Sequence, residues 1–162
     1  MIMNADFINP AEPRALIVED EILIAEELRE RLSRLGFSVI AAVDTADEGI
    51  AIATREHLDL VVMDIRLRGE KDGIQAAREI REQVDVPIVY LTAHSDRLTV
   101  ERAKATEYDG FILKPFQRRE LQTTIEIAMR RRANQGETEG TIGVNGSAGV
   151  PPPCQMESIS IR

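Results

Sequence analysis

Leu60-Val61-Val62-Met63-Asp64 decides the reading of this chain. Four apolar residues, β-branched in the middle and preceded by the polar His57 and Asp59, read as a short strand buried on both faces, as in a parallel sheet covered by helices. Packing gives no reason for a carboxylate at its end. Ligands of open α/β sheets bind at the carboxyl ends of the strands, so Asp64 is a functional candidate from its position alone.

Outward from that strand, β-rich runs alternate with helical patterns from Arg14 to about Arg132. Ala15 to Val18 reads as the first strand. Ile22, Ala25, Leu28, Leu32 and Leu35 then recur at helical spacing, and Gly36 suits the position just past that helix. Phe37 to Val43 reads as the second strand. Thr45-Ala46-Asp47-Glu48 has the spacing of a capping box, which starts a helix running to about Arg55. Gly73 to Gln83 is the third helix and Pro87 to Leu91 the fourth strand. Ser95 or Asp96 caps a fourth helix reaching about Thr106. Gly110 to Leu113 is the fifth strand, and Gln117 to Arg132 the last helix. Five such units predict an α/β fold, a doubly wound, five-stranded parallel sheet with helices on both faces in the flavodoxin-like order 2-1-3-4-5.

Composition narrows the function. The 162 residues suffice for one domain with its own core. A net charge of −8 speaks against a general nucleic-acid binder. The single Cys154 suits a reducing compartment, and no apolar run approaches the roughly 18 residues of a membrane span. Met1 to Pro13 lacks the pattern of a signal peptide. A cytoplasmic protein without membrane attachment or direct nucleic-acid contact is expected. Residues 134–162 hold five of the ten glycines and the Pro151-Pro152-Pro153 run, but no aromatic residue. That composition predicts a disordered tail, with a docking strand over Glu157 to Ile161 as the alternative. The expected organisation is an N-terminal extension over 1–13, a domain over 14–133 and a tail over 134–162.

In the expected sheet, strands one and three are neighbours. Glu19-Asp20-Glu21 would then meet Asp64. Two carboxylates 4 Å apart repel by roughly 4 kcal/mol at an effective dielectric of about 20. Such a cluster calls for protonation, solvent or a cation, and a hard divalent ion such as Mg²⁺ fits oxygen ligands best. The plainer alternative is that the three acids favour the N-terminal dipole of the first helix. Thr92 closes strand four and Lys114 strand five, where a lysine can answer the acids or hold an anion. Pro115 after it admits a cis peptide. The Arg130-Arg131-Arg132 run is expected to complement its own helix end rather than touch nucleic acid.

An acid pair, an Asp, a Thr and a Lys-Pro, each closing a different strand, resemble the receiver domain of two-component response regulators. The segments ALIVEDE, LVVMDIRL, VYLTAH and FILKPF carry the resemblance, over about Arg14 to Arg132. It implies that Asp64 accepts a phosphoryl group from a phosphohistidine on a histidine kinase or phosphotransfer protein. Glu19, Asp20, Asp64 and the backbone carbonyl of Arg66 would hold Mg²⁺, with Mn²⁺ as a substitute. Lys114 and Thr92 would hold phosphoryl oxygens, Thr92 and Phe111 would form the switch, and Arg66 and His94 would tune phosphoryl lifetime. The implied output is a change on the surface of helix four, strand five and helix five that controls partner binding or a homodimer.

The chain departs from the common receiver pattern in spacing Gly73 nine residues from Asp64 and in lacking the frequent proline in that loop. No output-domain pattern follows, so a stand-alone regulator is expected, catalysing only its own phosphorylation and dephosphorylation. A phosphohydrolase of the haloacid-dehalogenase type needs a second Asp where Arg66 stands. Nucleotide or flavin binding lacks a Gly-rich phosphate loop. A receiver-like scaffold that is never phosphorylated is the other alternative.

Overall fold

The computed structural model describes residues 11–93 and 97–141, with side chains to residue 135. The order is β1 (Arg14–Val18), α1 (Ile22–Arg34), β2 (Ser38–Val43), α2 (Ala46–Arg55), β3 (Leu60–Asp64), α3 (Gly73–Gln83), β4 (Ile88–Ala93), α4 (Arg97–Lys104), β5 (Gly110–Lys114) and α5 (Arg118–Thr141). All pairings are parallel and the sheet order is β2-β1-β3-β4-β5, as the alternation of patterns predicts.

Strand periodicity sorts the core into two layers. Leu16, Val18, Val61, Met63, Ile88 and Tyr90 face α2, α3 and α4 with Ala53, Ile74, Ile80 and Ala103. Ala15, Ile17, Leu60, Val62, Val89, Leu91 and Ile112 face the other way, against Leu28 and Leu32 of α1 and Leu121 and Ile125 of α5. The central strand β3 is buried along its whole length, which explains its unbroken apolar run.

The helix starts have identifiable causes. Thr45 caps α2 by accepting the Glu48 N–H at 3.3 Å. A complete capping box, which the sequence reading did not single out, opens α3. Asp72 accepts from the N–H groups of Ile74 and Gln75 at 3.0 and 2.9 Å, and the Gln75 side chain accepts the Asp72 N–H at 2.9 Å.

Two expectations need correction. Helix α5 does not stop near Arg132 but runs to Thr141, so residues 134–141 are helical. Once a helix is nucleated each added residue gains a hydrogen bond, and Ala, Gln and Glu sustain it despite two glycines. Arg130 to Arg132 are therefore not a helix end. Arg132 is spent in ion pairs with Asp85 and Asp109. The chain divides after Arg132 into two units, and the sheet belongs to the first. The rest of the expected tail, residues 142–162, lies outside the described residues, as do residues 1–10. Among the described residues no helix is long and apolar enough to cross a membrane.

Candidate functional site

Period-two alternation builds the site. Glu19, Asp64 and Lys114 each stand two residues after a core residue on the α1/α5 side, namely Ile17, Val62 and Ile112. All three therefore emerge on one side at the carboxyl edge of the sheet. Glu19 is 2% exposed and Asp64 4%. Carboxylate oxygens of Glu19, Asp20 and Asp64 all lie within 4.8 Å of one another. The acids thus converge as the expected sheet order requires.

Lys114 reaches across from β5 to bind them. Its Nζ lies 2.7 Å from Glu19 Oε2, 3.0 Å from Asp64 Oδ2 and 3.6 Å from Glu21 Oε1. Its in-register neighbour on β4 is Ala93, whose methyl takes up little of the intervening space. The peptide that follows, Lys114–Pro115, is cis.

Backbone groups set the remaining orientations. Arg66 N–H donates to Asp64 Oδ1 at 3.1 Å, and Glu21 N–H donates to Glu19 Oε1 at 3.0 Å. Both oxygens of Asp64 are thus held, one by an amide and one by an ammonium. Gly73 explains how α3 can start so close behind. A Cβ there would lie 2.0 Å from the Asp64 carbonyl oxygen, and the Gly73 N–H donates to the Ile65 carbonyl at 2.8 Å. The signal was a glycine at the first position of a capped helix, which close backbone approach demands.

The electrostatics follow from burial. Desolvation pushes the Glu19 carboxyl up to about 7, against the opposing hydrogen bonds from Lys114 and the Glu21 N–H, with Asp64 adding to the rise. Burial pulls the Lys114 ammonium down, but its hydrogen bonds to Glu19 and Asp64 outweigh that and hold it above the usual lysine value. The site is short of positive charge. Three acids offering oxygen ligands around one lysine fit a hard divalent cation.

Thr92 is buried at the end of β4, and its hydroxyl donates to the Ala93 carbonyl at 3.4 Å. It shares the parity of Tyr90 and so belongs to the α4 side of the sheet. Phe111 is half-buried there, in register with Tyr90. Their rings meet edge to face at 6.3 Å, and Tyr108 closes the group at 5.9 Å from Phe111 and 6.0 Å from Tyr90. The Tyr90 hydroxyl bonds Thr106 Oγ1 at 3.1 Å, just beyond α4. Sequence reasoning singled out Phe111 but not the two tyrosines, Tyr90 on the neighbouring strand and Tyr108 just before β5. His94 falls outside the described residues, with Ser95 and Asp96.

At the opposite end of the sheet, Asp109 precedes β5 and is 6% exposed. It accepts from Arg81 of α3 at 2.6 Å, from the Ile88 N–H at 2.8 Å and from Arg132 of α5 at 3.0 Å. This hub, unforeseen from the sequence, ties two helices to the sheet.

A family model described as the response regulator receiver domain matches residues 15–126. The chain is 37% identical over 129 residues to the transcriptional regulatory protein PdtaR of Mycobacterium tuberculosis, an alignment taking in 80% of this chain and 62% of that protein. The chain thus spans less than two thirds of that relative. Among solved structures, the signal receiver domain of a modulated diguanylate cyclase from Desulfovibrio desulfuricans superimposes with a TM-score of 0.72 at 32% identity, covering 76% of this chain and 98% of that one. The receiver domain of a sensor histidine kinase from Pseudomonas aeruginosa, with a magnesium ion coordinated in its active-site cleft, gives a TM-score of 0.67 at 32% identity over 74% of this chain and 99% of that one.

Proposed function

Because this chain belongs to the response regulator receiver domain family of two-component signalling, we propose that it accepts a phosphoryl group on Asp64 from a phosphohistidine of a histidine kinase or phosphotransfer protein. The carrying observation is the convergence of Asp64 with Glu19, Asp20 and Lys114 at one sheet edge. A carboxylate oxygen of Asp64 attacks phosphorus, the P–N bond breaks, and the imidazole leaves with that electron pair. The product is an acyl phosphate, which water later hydrolyses.

Glu19, Asp20 and Asp64, with the backbone carbonyl of Arg66, are the residues that would hold Mg²⁺. When bound, the ion neutralises charge that develops on the transferring oxygens. The chain's own groups do the rest. Arg66 N–H and Lys114 orient the nucleophile, and burial of Asp64 limits the water that competes with the donor. Lys114 exchanges its Asp64 contact for a phosphoryl oxygen, and the Thr92 hydroxyl turns from the Ala93 carbonyl to another. Arg66 and His94 are the two residues that tune phosphoryl lifetime.

The output follows from the Thr92 movement. Phe111 repacks within the ring group it shares with Tyr90 and Tyr108, and that motion reaches α4. Leu98 on α4, Leu113 on β5 and Ile127 on α5 are exposed apolar side chains, one on each element through which a homodimer or a partner would bind.

Incubation with phosphoramidate and Mg²⁺, read by intact mass, tests the reading. One phosphoryl group is expected on the native chain and none on Asp64→Asn. A native chain that gains no mass, or an Asp64→Asn chain that gains as much, overturns it.

A further inference from the structure

Arg68 stands beside the proposed metal ligands, with Nε 3.6 Å from Asp20 Oδ2. An exposed guanidinium at such a distance is usually incidental, because side-chain freedom and screening cancel most of the gain. Here the backbone beneath it is fixed. Arg68 makes a parallel bridge to Thr45, the cap of α2. Leu67 before it packs against the core, and Gly69 after it turns the chain with φ of +106°, a conformation open to glycine. The loop after β3 is therefore held where its fourth residue carries a positive charge past Asp20. Asp20 is the sheltered member of the pair, with its side chain 15% exposed against 78% for Arg68.

The charge balance gives that placement a consequence. Lys114 pairs with Glu19 and Asp64, and Arg68 pairs with Asp20. Each of the three carboxylates thus has an internal cation, and a divalent ion must compete with both. The geometry points to Arg68 as a built-in counter-cation that competes with the divalent ion for Asp20 and so lowers the affinity with which the ion is held. This rests on the reading of Glu19, Asp20 and Asp64 as the metal site. Neutralising Arg68 acts twice in the same direction: Asp20 loses its competing partner, and the bound ion loses a like charge nearby. An exposed pair of this kind is worth about a two- to fivefold change in affinity.

The test is calorimetric titration of magnesium chloride into the full chain, native, Arg68→Gln and Arg68→Lys, at low salt and at about 0.5 M salt, where exposed charges are screened. Arg68→Gln is expected to bind about two- to fivefold more tightly at low salt. Arg68→Lys should stay near the native value, and the gap should close at high salt. A role confined to holding the loop would instead weaken binding in Arg68→Gln. Equal or weaker binding by Arg68→Gln overturns the inference and leaves the metal site standing. A native chain that binds no magnesium overturns both.

Discussion

Gly73 leaves no room for a side chain above Asp64: a Cβ on the one would sit 2.0 Å from the carbonyl oxygen of the other. The neighbour is backbone, so relief requires moving either the start of α3 or the strand end that carries Asp64. Gly73→Ala is expected to lower stability by about 1–3 kcal/mol or more, as overpacked sites do. It should also slow phosphorylation of the chains that remain folded. Urea unfolding and phosphoramidate labelling check both, and a variant matching the native chain in each would contradict the close approach.

Asp109 predicts the opposite division between fold and site. Asp109→Ala leaves the Arg81 and Arg132 guanidiniums without their shared acceptor and strips the Ile88 N–H of its partner. Breaking a buried pair in this way costs about 3–5 kcal/mol. Asp109 precedes β5 whereas Lys114 closes it, so folded molecules should keep their phosphorylation rate. A stability loss below about 1 kcal/mol in chemical denaturation would show the hub to be dispensable.

Glu19 gives the metal-free chain a pH dependence with a definite sign. Burial raises its carboxyl from the usual 4.5 to about 7, so the folded chain binds more protons than the unfolded one between those values. The stabilisation is full below about 4.5 and is lost as pH rises toward 7. Glu19→Gln cannot lose it, so its stability relative to the native chain should rise across that window. Denaturation midpoints in a chelator from pH 4.5 to 7.5, the range Glu19 sets, would test this. Parallel profiles would be the contrary result.

Tyr90 tests the route from the site to α4. Tyr90→Phe keeps the ring contacts with Tyr108 and Phe111 but removes the bond to Thr106. A net loss of about 1 kcal/mol is expected. Amide exchange should quicken at the end of α4 and stay unchanged in α1 and α2. Uniform quickening across the chain would mean that Tyr90 acts only through global stability.

Much of this protein is local and therefore legible in its residues. The alternation of period-two and period-3.6 patterns specifies five strand–helix units and a parallel sheet, and the flavodoxin-like order chosen for a chain of this length is the one observed. A carboxylate closing an apolar strand points to the functional edge because packing cannot account for it. Glu19, Asp20 and Asp64 were identifiable for that reason, Lys114 as the cation closing another strand, and their convergence follows from the order of the strands. The Thr45 cap of α2 was legible in the same way, whereas the capping box at Asp72 and Gln75 has the required spacing but was not singled out.

Other features exist only once distant segments meet. No local pattern announces that Asp109 will gather Arg81 and Arg132 or that Arg68 will stand beside Asp20. Nor does sequence spacing tell Tyr90 and Tyr108 that Phe111 is their neighbour. Strand periodicity chooses the face on which a residue emerges, but the register between strands and the path of the loops choose what it meets. Burial then sets the cost of a charge, as the Glu19 carboxyl shows. Which elements stand in which order was written along the chain, while which charges face one another was decided by packing.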